Sequence, residues 1–381
     1  MNAKLMYKDR KLIVDTFCDV YNLLEPWIDD YFWDFKTYDP APGSICVVGR
    51  NQAFENPDKF RLLCDQDCQV IFANSAEGSS TQIGQLQRLG IDNYVRNGQI
   101  LLLTGGRMPG EYAHMVHEHF FVRVLAYEEN LEQMAKWQDI FNKTHKPYKF
   151  LFLNGRTRPH RKYLWHRFCE TGLLDQSIWT MMEGRGSSQA VLQLLRGDQD
   201  LMIKSTPVQS LPVKYEVPRY RQNTKEAITD SHYIKFDVFN NQWGEIYLEL
   251  APYMDTYFSL VTETVFDYPY SFFTEKIAKP IAIGHPWIAA TNRGFYQDLR
   301  NLGFRTFGHV IDESFDEIDN DQERMERIVQ VTQDLCSSNL VEFLSACQDV
   351  CKYNQQHLRE VVEKETRTCP QRFCQFVNHY G

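Results

Sequence analysis

The sequence is short of the features that usually settle a protein's class at once. No apolar run approaches the roughly 20 residues needed to span a bilayer. The opening segment, MNAKLMYKDR, is too polar for the apolar core of a secretory signal. A cytoplasmic chain (host cytoplasm, for a viral one) with no transmembrane segment is therefore expected. No G-x-G-x-x-G and no G-x-x-x-x-G-K occurs, which argues against a dinucleotide dehydrogenase or a P-loop ATPase. Excess positive charge is also missing. With a formal net charge of −9, the chain lacks the cations that a broad nucleic-acid surface requires, so nucleic acid is not an expected partner. There are ten cysteines, but they never form Cys-x₂-Cys repeats. Cys64/Cys68 and Cys347/Cys351 share an i,i+4 spacing without a second half, so buried, reduced thiols are expected rather than a zinc site. The segment HMVHEH is not H-E-x-x-H either, because its glutamate falls between His117 and His119. His114 and His117 can share a helix face, but no third ligand is placed, and no metal is expected.

What the sequence does contain is an α/β pattern. At about 150 residues per domain, 381 residues suggest two or three domains. Short runs nearly continuous in Val, Ile, Leu and Phe predict strands buried on both faces: 44–48, 69–73, 99–103, 121–126 and 149–153; SIWTMM at 177–182 also reads as a strand. Between them, TQIGQLQRLG and NLEQMAKWQDIFNK read as helices. Residues 184–230, with GRGSS, the prolines Pro207, Pro212 and Pro218 and mixed charge, read as loop and irregular insertion. From Met325 onward apolar residues recur every three or four positions, which predicts helices to the C-terminus. The expected division is 1–148 for a Rossmann-like acceptor-side domain, 149–335 for a nucleotide-sugar-binding domain and 336–381 for a helical tail. Such a tail would pack back across both domains.

Two segments carry most of the chemistry. In the first, an apolar strand at Ser259–Val261 exits into Thr262-Glu263-Thr264, and after a turn comes Phe273-Thr274-Glu275-Lys276. Thr274 can cap the helix that follows, whose free first-turn amides attract anions. Lys276 and Lys279 lie three apart and can reach one face, although Pro280 is expected to bend the helix or delay its start. A lysine beside orphan amides offers a diphosphate a point charge and directed donors, while Glu263 could accept from ribose or sugar hydroxyls. The bland reading is a capped surface helix with solvated charges. The second segment is NGRTRPHR. Arg156, Arg158 and Arg161 follow a strand end, where open α/β sheets place their ligands, and guanidinium matches phosphate geometry. Pro159 favours a first helical turn that aims Arg158 and Arg161 alike. Here the bland reading is a basic helix start paired with nearby carboxylates.

For a catalytic base, Glu77 follows a buried strand and could deprotonate an acceptor hydroxyl. Glu111, His114, His117 and Asp92 remain alternatives. The D-x-D triplets Asp65/Asp67, Asp198/Asp200 and Asp319/Asp321 are not at strand exits, which favours a metal-independent reaction with Arg156 and Lys276 neutralising the leaving diphosphate. The stretch IAIGHPWIAA reads as helix end, Gly284 cap, turn and strand. His285 and Trp287 border the base or sugar in one reading; in the other, Trp287 belongs to the core. GFYQDLRNLGFRTF reads as helix, turn and strand. Asp312, Glu313 and Asp316 read as loop or cap residues.

The segments FSLVTET, FFTEKIAKPIAIGHPWIAA and LRNLGFRTF…IDESFDEI resemble a glycosyltransferase family of bacteria, phages and large viruses. More remotely, they resemble the α1,3-fucosyltransferases, over roughly residues 150 to 320. That resemblance implies a GT-B fold, with two facing Rossmann-like domains, and an inverting, metal-independent transfer from a nucleotide sugar to a glycan or other small hydroxyl acceptor. It matches Glu263 to the family's acidic residue after the strand, Thr274, Glu275 and Lys276 to the Thr-Glu-Lys cluster, and Arg156 or Arg158 to a phosphate-facing arginine. Thr264 stands where the fucosyltransferases carry asparagine, so the donor is expected to be a GDP- or UDP-sugar without restriction to GDP-fucose. No other cofactor is expected. A non-catalytic carbohydrate- or nucleotide-binding protein and a DNA-modifying glycosyltransferase are the alternatives.

Overall fold

The computed structural model describes residues 10, 12–15, 32–33, 40–76, 87, 90–108, 112–154, 158–181 and 248–380. The loop expected over 184–230 lies outside them, as does most of TQIGQLQRLG. The protein is α/β, built on two wholly parallel sheets that fall in two compact units. One unit draws its described residues from Met1–Val122 and Val361–Gly381, and the other from Arg123–Pro218 and Glu245–Glu360. The position 148/149 falls within a strand of the second unit and 335/336 within one of its helices.

The first unit holds β1 (Leu12–Asp15), β2 (Phe32–Trp33), β3 (Ile45–Gly49), β4 (Gln69–Asn74), β5 (Ile100–Thr104) and β6 (His114–Val116), in the order β2-β1-β3-β4-β5-β6. Every residue of β3, β4 and β5 is buried. Their uninterrupted Val-Ile-Leu-Phe runs belong to strands covered on both faces. On one side, Leu12, Val14, Ile45, Val47, Ile71, Ala73, Leu101 and Leu103 form a core with Cys369, Phe373, Phe376 and Val377.

The second unit holds β7 (Tyr148–Asn154), β8 (Ser177–Met181), β9 (Thr256–Thr262) and β10 (Trp287–Ala290), in the order β10-β9-β7-β8. Chain order therefore reverses between β7 and β9. In open parallel sheets, the crevice beyond the carboxyl ends of such a pair is where ligands bind. The helices that frame it are α1 (Pro159–Glu170) after β7, α2 (Glu275–Ile283) after β9 and α3 (Phe295–Asn301) after β10. Two longer helices follow: α4 (Asp321–Ser337) and α5 (Leu340–Tyr380), the latter 41 residues long. Asn320 starts α4 by accepting from the N–H groups of Gln322 and Glu323, and Asn339 does the same for Val341 and Glu342 in α5. Residues of α5 up to Glu360 belong to the second unit, and those from Val361 to the first. Among the described residues no helix is long and apolar enough to cross a membrane.

Two sequence expectations are corrected. Phe121–Ala126, read as a strand, lies largely in the helix His119–Leu125, which buries Phe120, Phe121 and Val124 along one side. A short apolar run looks alike in a buried strand and on a buried helix face. Phe304–Phe307, also read as a strand, is irregular. Its two phenylalanines are buried, but its backbone finds a side-chain partner instead of a strand. The Asn354 amide accepts from the Arg305 N–H at 2.8 Å and donates to the Arg305 carbonyl at 2.8 Å. This satisfies the polar backbone without a sheet.

Candidate functional site

The carboxyl ends of β7 and β9 are tied together by side chains. The Thr262 hydroxyl, last in β9, donates to Asn154 Oδ1, last in β7, at 2.5 Å. Both residues are buried. From this point the chain leaves β7 toward Arg158 and α1, and leaves β9 toward Glu263 and α2.

Glu263 is 0% exposed and organises the exit of β9. Its carboxylate accepts from the N–H groups of Thr264 (3.1 Å), Thr274 (3.2 Å) and Ile277 (3.3 Å), and from the Thr274 hydroxyl (2.5 Å). Burial pushes the Glu263 carboxyl up, and Lys276 together with the Thr274 hydrogen bonds pulls against that rise. With four donors on two oxygens, the group has no acceptor position left for a sugar hydroxyl. It holds the start of α2 as a positioning residue. Thr274 is the N-cap of α2, as its sequence position suggests, and its hydroxyl accepts from the Lys276 N–H at 3.2 Å.

The Lys276 ammonium donates to Thr264 Oγ1 at 3.0 Å and lies against Glu275. Burial works to raise the Glu275 carboxyl, but Lys276 in direct contact and Lys279 nearby win, and it stays below the usual carboxylate range. Lys276 keeps 22% of its side chain exposed where Glu275 keeps 9%, so the cation is the member of the pair presented outward. Helix α2 runs through Pro280 without a late start and closes on Gly284 in the left-handed region (φ 74°). The Gly284 N–H donates to Ile281 O and the His285 N–H to Pro280 O, a Schellman closure.

The β7 exit meets this arrangement from the other side of the crevice. Arg158 is the N-cap residue of α1, with Pro159 at its first position. Arg161, 3% exposed, turns inward and donates to the carbonyls of Thr262 (3.1 Å) and Glu263 (3.3 Å). Burial lowers its guanidinium to about 10, with Glu275 opposing. His160 donates through Nε2 to Glu263 O at 2.9 Å and stacks on Phe266. Burial first, then Arg161, Arg158 and Lys276, hold its imidazole well below the ordinary value. Both Arg161 and His160 thus brace the β9 exit from α1. Arg324 of α4 completes the brace. It donates to Phe266 O and Thr291 O, and its guanidinium lies 4.5 Å from the Phe266 ring centre.

Of the sequence-derived residues, Arg158, Arg161, Glu263, Thr264, Thr274, Glu275, Lys276 and Lys279 all belong to this one unit. Electrostatic coupling links Glu275 to Lys276 and Lys279, and links Arg161 to Arg158, Glu263 and Glu275. Arg156, Glu77 and Glu111 lie outside the described residues. His114 lies in β6 with Nδ1 3.0 Å from Tyr112 O, and His117 is buried against Glu365. His285 lies at the opposite, amino-terminal end of β9, donating through Nε2 to Thr256 O and accepting from the Ser259 hydroxyl. It is a core histidine, and Trp287 is core as well. Asp316 caps α3, accepting from the N–H groups of Tyr296 and Gln297 at 3.1 Å each, because the Gly294 that precedes the helix has no side chain to do so. The Asn154–Thr262 bridge and the Arg324–Phe266 brace had no sequence signal beyond the turn residues Asn154-Gly155.

What the arrangement can do is hold an anion. Two helix starts, one carrying Arg158 and the other Lys276 and Lys279, open at adjacent strand exits, and of the carboxylates among them Glu263 is saturated by three N–H groups and a hydroxyl and Glu275 is turned to a lysine. Comparison with family models, with curated proteins and with solved structures found no match.

Proposed function

We propose that the protein is a glycosyltransferase of the GT-B kind. It moves a sugar from a GDP- or UDP-sugar to a glycan or other small hydroxyl acceptor, with inversion and without a metal at the reacting centre. One observation carries the reading: two cation-bearing helix starts, more than a hundred residues apart in sequence, sit at the exits of β7 and β9, where the order of a parallel sheet reverses. A leaving nucleoside diphosphate is the ligand such a crevice suits, since cations and first-turn amides stabilise the charge that develops as the glycosidic bond breaks. On this reading Lys276, Lys279, Arg158 and Arg156 face the diphosphate and Thr264 borders it. Glu263, Thr274, Glu275 and Arg161 hold the cations in place. Glu77 takes the acceptor proton. Two Rossmann-like units, with a last helix that contributes to both, are the architecture the reading requires.

The test is a thermal-shift screen against UDP-, GDP-, CMP- and dTDP-sugars, each with and without Mg²⁺, followed by affinity measurements on Lys276→Ala. One donor class should raise the melting temperature with or without Mg²⁺. The variant should bind it at least about tenfold more weakly, the scale of one charge-assisted hydrogen bond, measured well below its melting temperature, which should itself fall because Glu275 loses its cation. No stabilisation by any donor, or unchanged affinity in the variant, rejects the assignment. Donor binding without transfer to any acceptor would make this a binding protein instead.

A further inference from the structure

Far from the Glu263 crevice in sequence, the first unit buries a second constellation. His117 leaves β6 with its N–H donated to Thr104 O at 2.9 Å. Its Nδ1 lies 2.7 Å from Glu365 Oε1 and 4.0 Å from Cys369 Sγ. The three ligand atoms all fall within 4.8 Å of one another, and all three residues are buried. Glu365 and Cys369 are one helical turn apart on α5, so both address the same point. The other carboxylate oxygen of Glu365 is bound by Arg372 at 2.6 Å, and Arg372 also donates to Val116 O. Nearby, Glu118 is paired with Arg107.

As the trio stands, His117 Nδ1 donates to Glu365 Oε1, which also accepts from the Glu118 N–H at 3.4 Å, and the Cys369 thiol lies at the edge of hydrogen-bond reach of the same nitrogen. A nitrogen, a carboxylate oxygen and a sulfur converging on one buried point are also the donor set of zinc and its neighbours. We propose that His117, Glu365 and Cys369 bind one transition-metal ion of the zinc class. On binding, the ring carries its hydrogen on Nε2 and coordinates through the Nδ1 lone pair. The thiol loses its proton to solvent, so one proton is released per ion. Arg372 holds the carboxylate so that Oε1 faces the ion, the outer-shell role such sites need. Three protein ligands leave one coordination position for water, and the ion fastens the part of α5 that carries Phe373, Phe376 and Val377 to the edge of the sheet. The sequence could not show this, because the partners of His117 lie 248 and 252 residues away.

The test uses the full chain, without a histidine tag, stripped by chelator and titrated with Co²⁺ and then Zn²⁺. One equivalent of Co²⁺ should produce a thiolate-to-cobalt charge-transfer band, and Zn²⁺ should displace it. The stripped protein should melt about 5 °C or more below the zinc-loaded one. Cys369→Ala, a small apolar replacement at a buried position, should lose the band and the zinc-dependent stabilisation. Absence of the band in the parent overturns the proposal without reference to any variant. So does zinc stabilisation of Cys369→Ala equal to that of the parent. Sugar-nucleotide binding plays no part in these readouts, so they stand or fall apart from the transferase reading.

Discussion

At the scale of single residues, the histidines divide by environment. His285 is 1% exposed, and burial lowers its imidazole to about 3, with hydrogen bonds to Thr256 and Tyr253 opposing. His160 is shifted the same way. A ring that stays neutral in the folded chain, while its counterpart in the unfolded chain takes up a proton near pH 6.5, destabilises the fold as pH falls. The loss begins below about 6.5 and, for His285, continues towards 3, at about 1.4 kcal/mol per pH unit for each such group. Denaturant unfolding at pH 7 and pH 5 should show this decline. His285→Gln, which keeps a donor for Thr256 O but does not titrate, should reduce the difference by about 2 kcal/mol. An unchanged pH dependence in the variant would remove His285 from the account. Residue type was readable for both histidines, but neighbours were not. Gly-His-Pro looked like a ligand-facing turn, and only the fold shows that it sits at the end of the strands away from the crevice.

At the scale of elements, the Thr-Glu-Lys helix was the most legible part. Its cap, its first-turn lysine and its Gly284 stop follow from local rules that need no tertiary information. The role of Glu263 was not legible, because three of its four donors come from positions 274 and 277, brought to it by a loop whose path the sequence does not state. The irregular 304–307 segment has the same origin, since its backbone partner, Asn354, is about 50 residues distant. A neighbouring glycine tests how tightly that segment is held. Gly303 has φ +99°, and a Cβ there would lie 2.5 Å from His357 Nε2. That ring bonds Leu302 O at 3.0 Å and stacks on Tyr353. Gly303→Ala should therefore cost about 2–4 kcal/mol, from left-handed strain of about 1–2 plus displacement of the imidazole. In the His357→Ala background the steric part should vanish, leaving about 1–2 kcal/mol. Equal costs in both backgrounds would assign the whole effect to backbone strain.

On the scale of the whole molecule, the two parallel sheets were foreseeable from their doubly buried strands, since a run such as ILLLT has no polar face to offer water. The sequence suggests a tail that packs across both domains, but its apolar spacing cannot say which of its residues cover which sheet. In the structure Phe373 is 1% exposed in the core of the first sheet. Phe373→Ala should destabilise that unit by about 3–5 kcal/mol. Hydrogen exchange should report the loss at the amides of β3, β4 and β5, while those of β7 and β9 keep their protection. Equal loss in both sheets would show that the units do not unfold separately.

The shared helix also bears on biosynthesis. Strands β1 to β6 leave the ribosome long before Cys369, Phe373, Phe376 and Val377 exist to cover them, with the whole of the second unit translated in between. The amino-terminal sheet is thus the first to be made and the last to be finished. During that interval its uncovered apolar face is the surface a chaperone would have to shield.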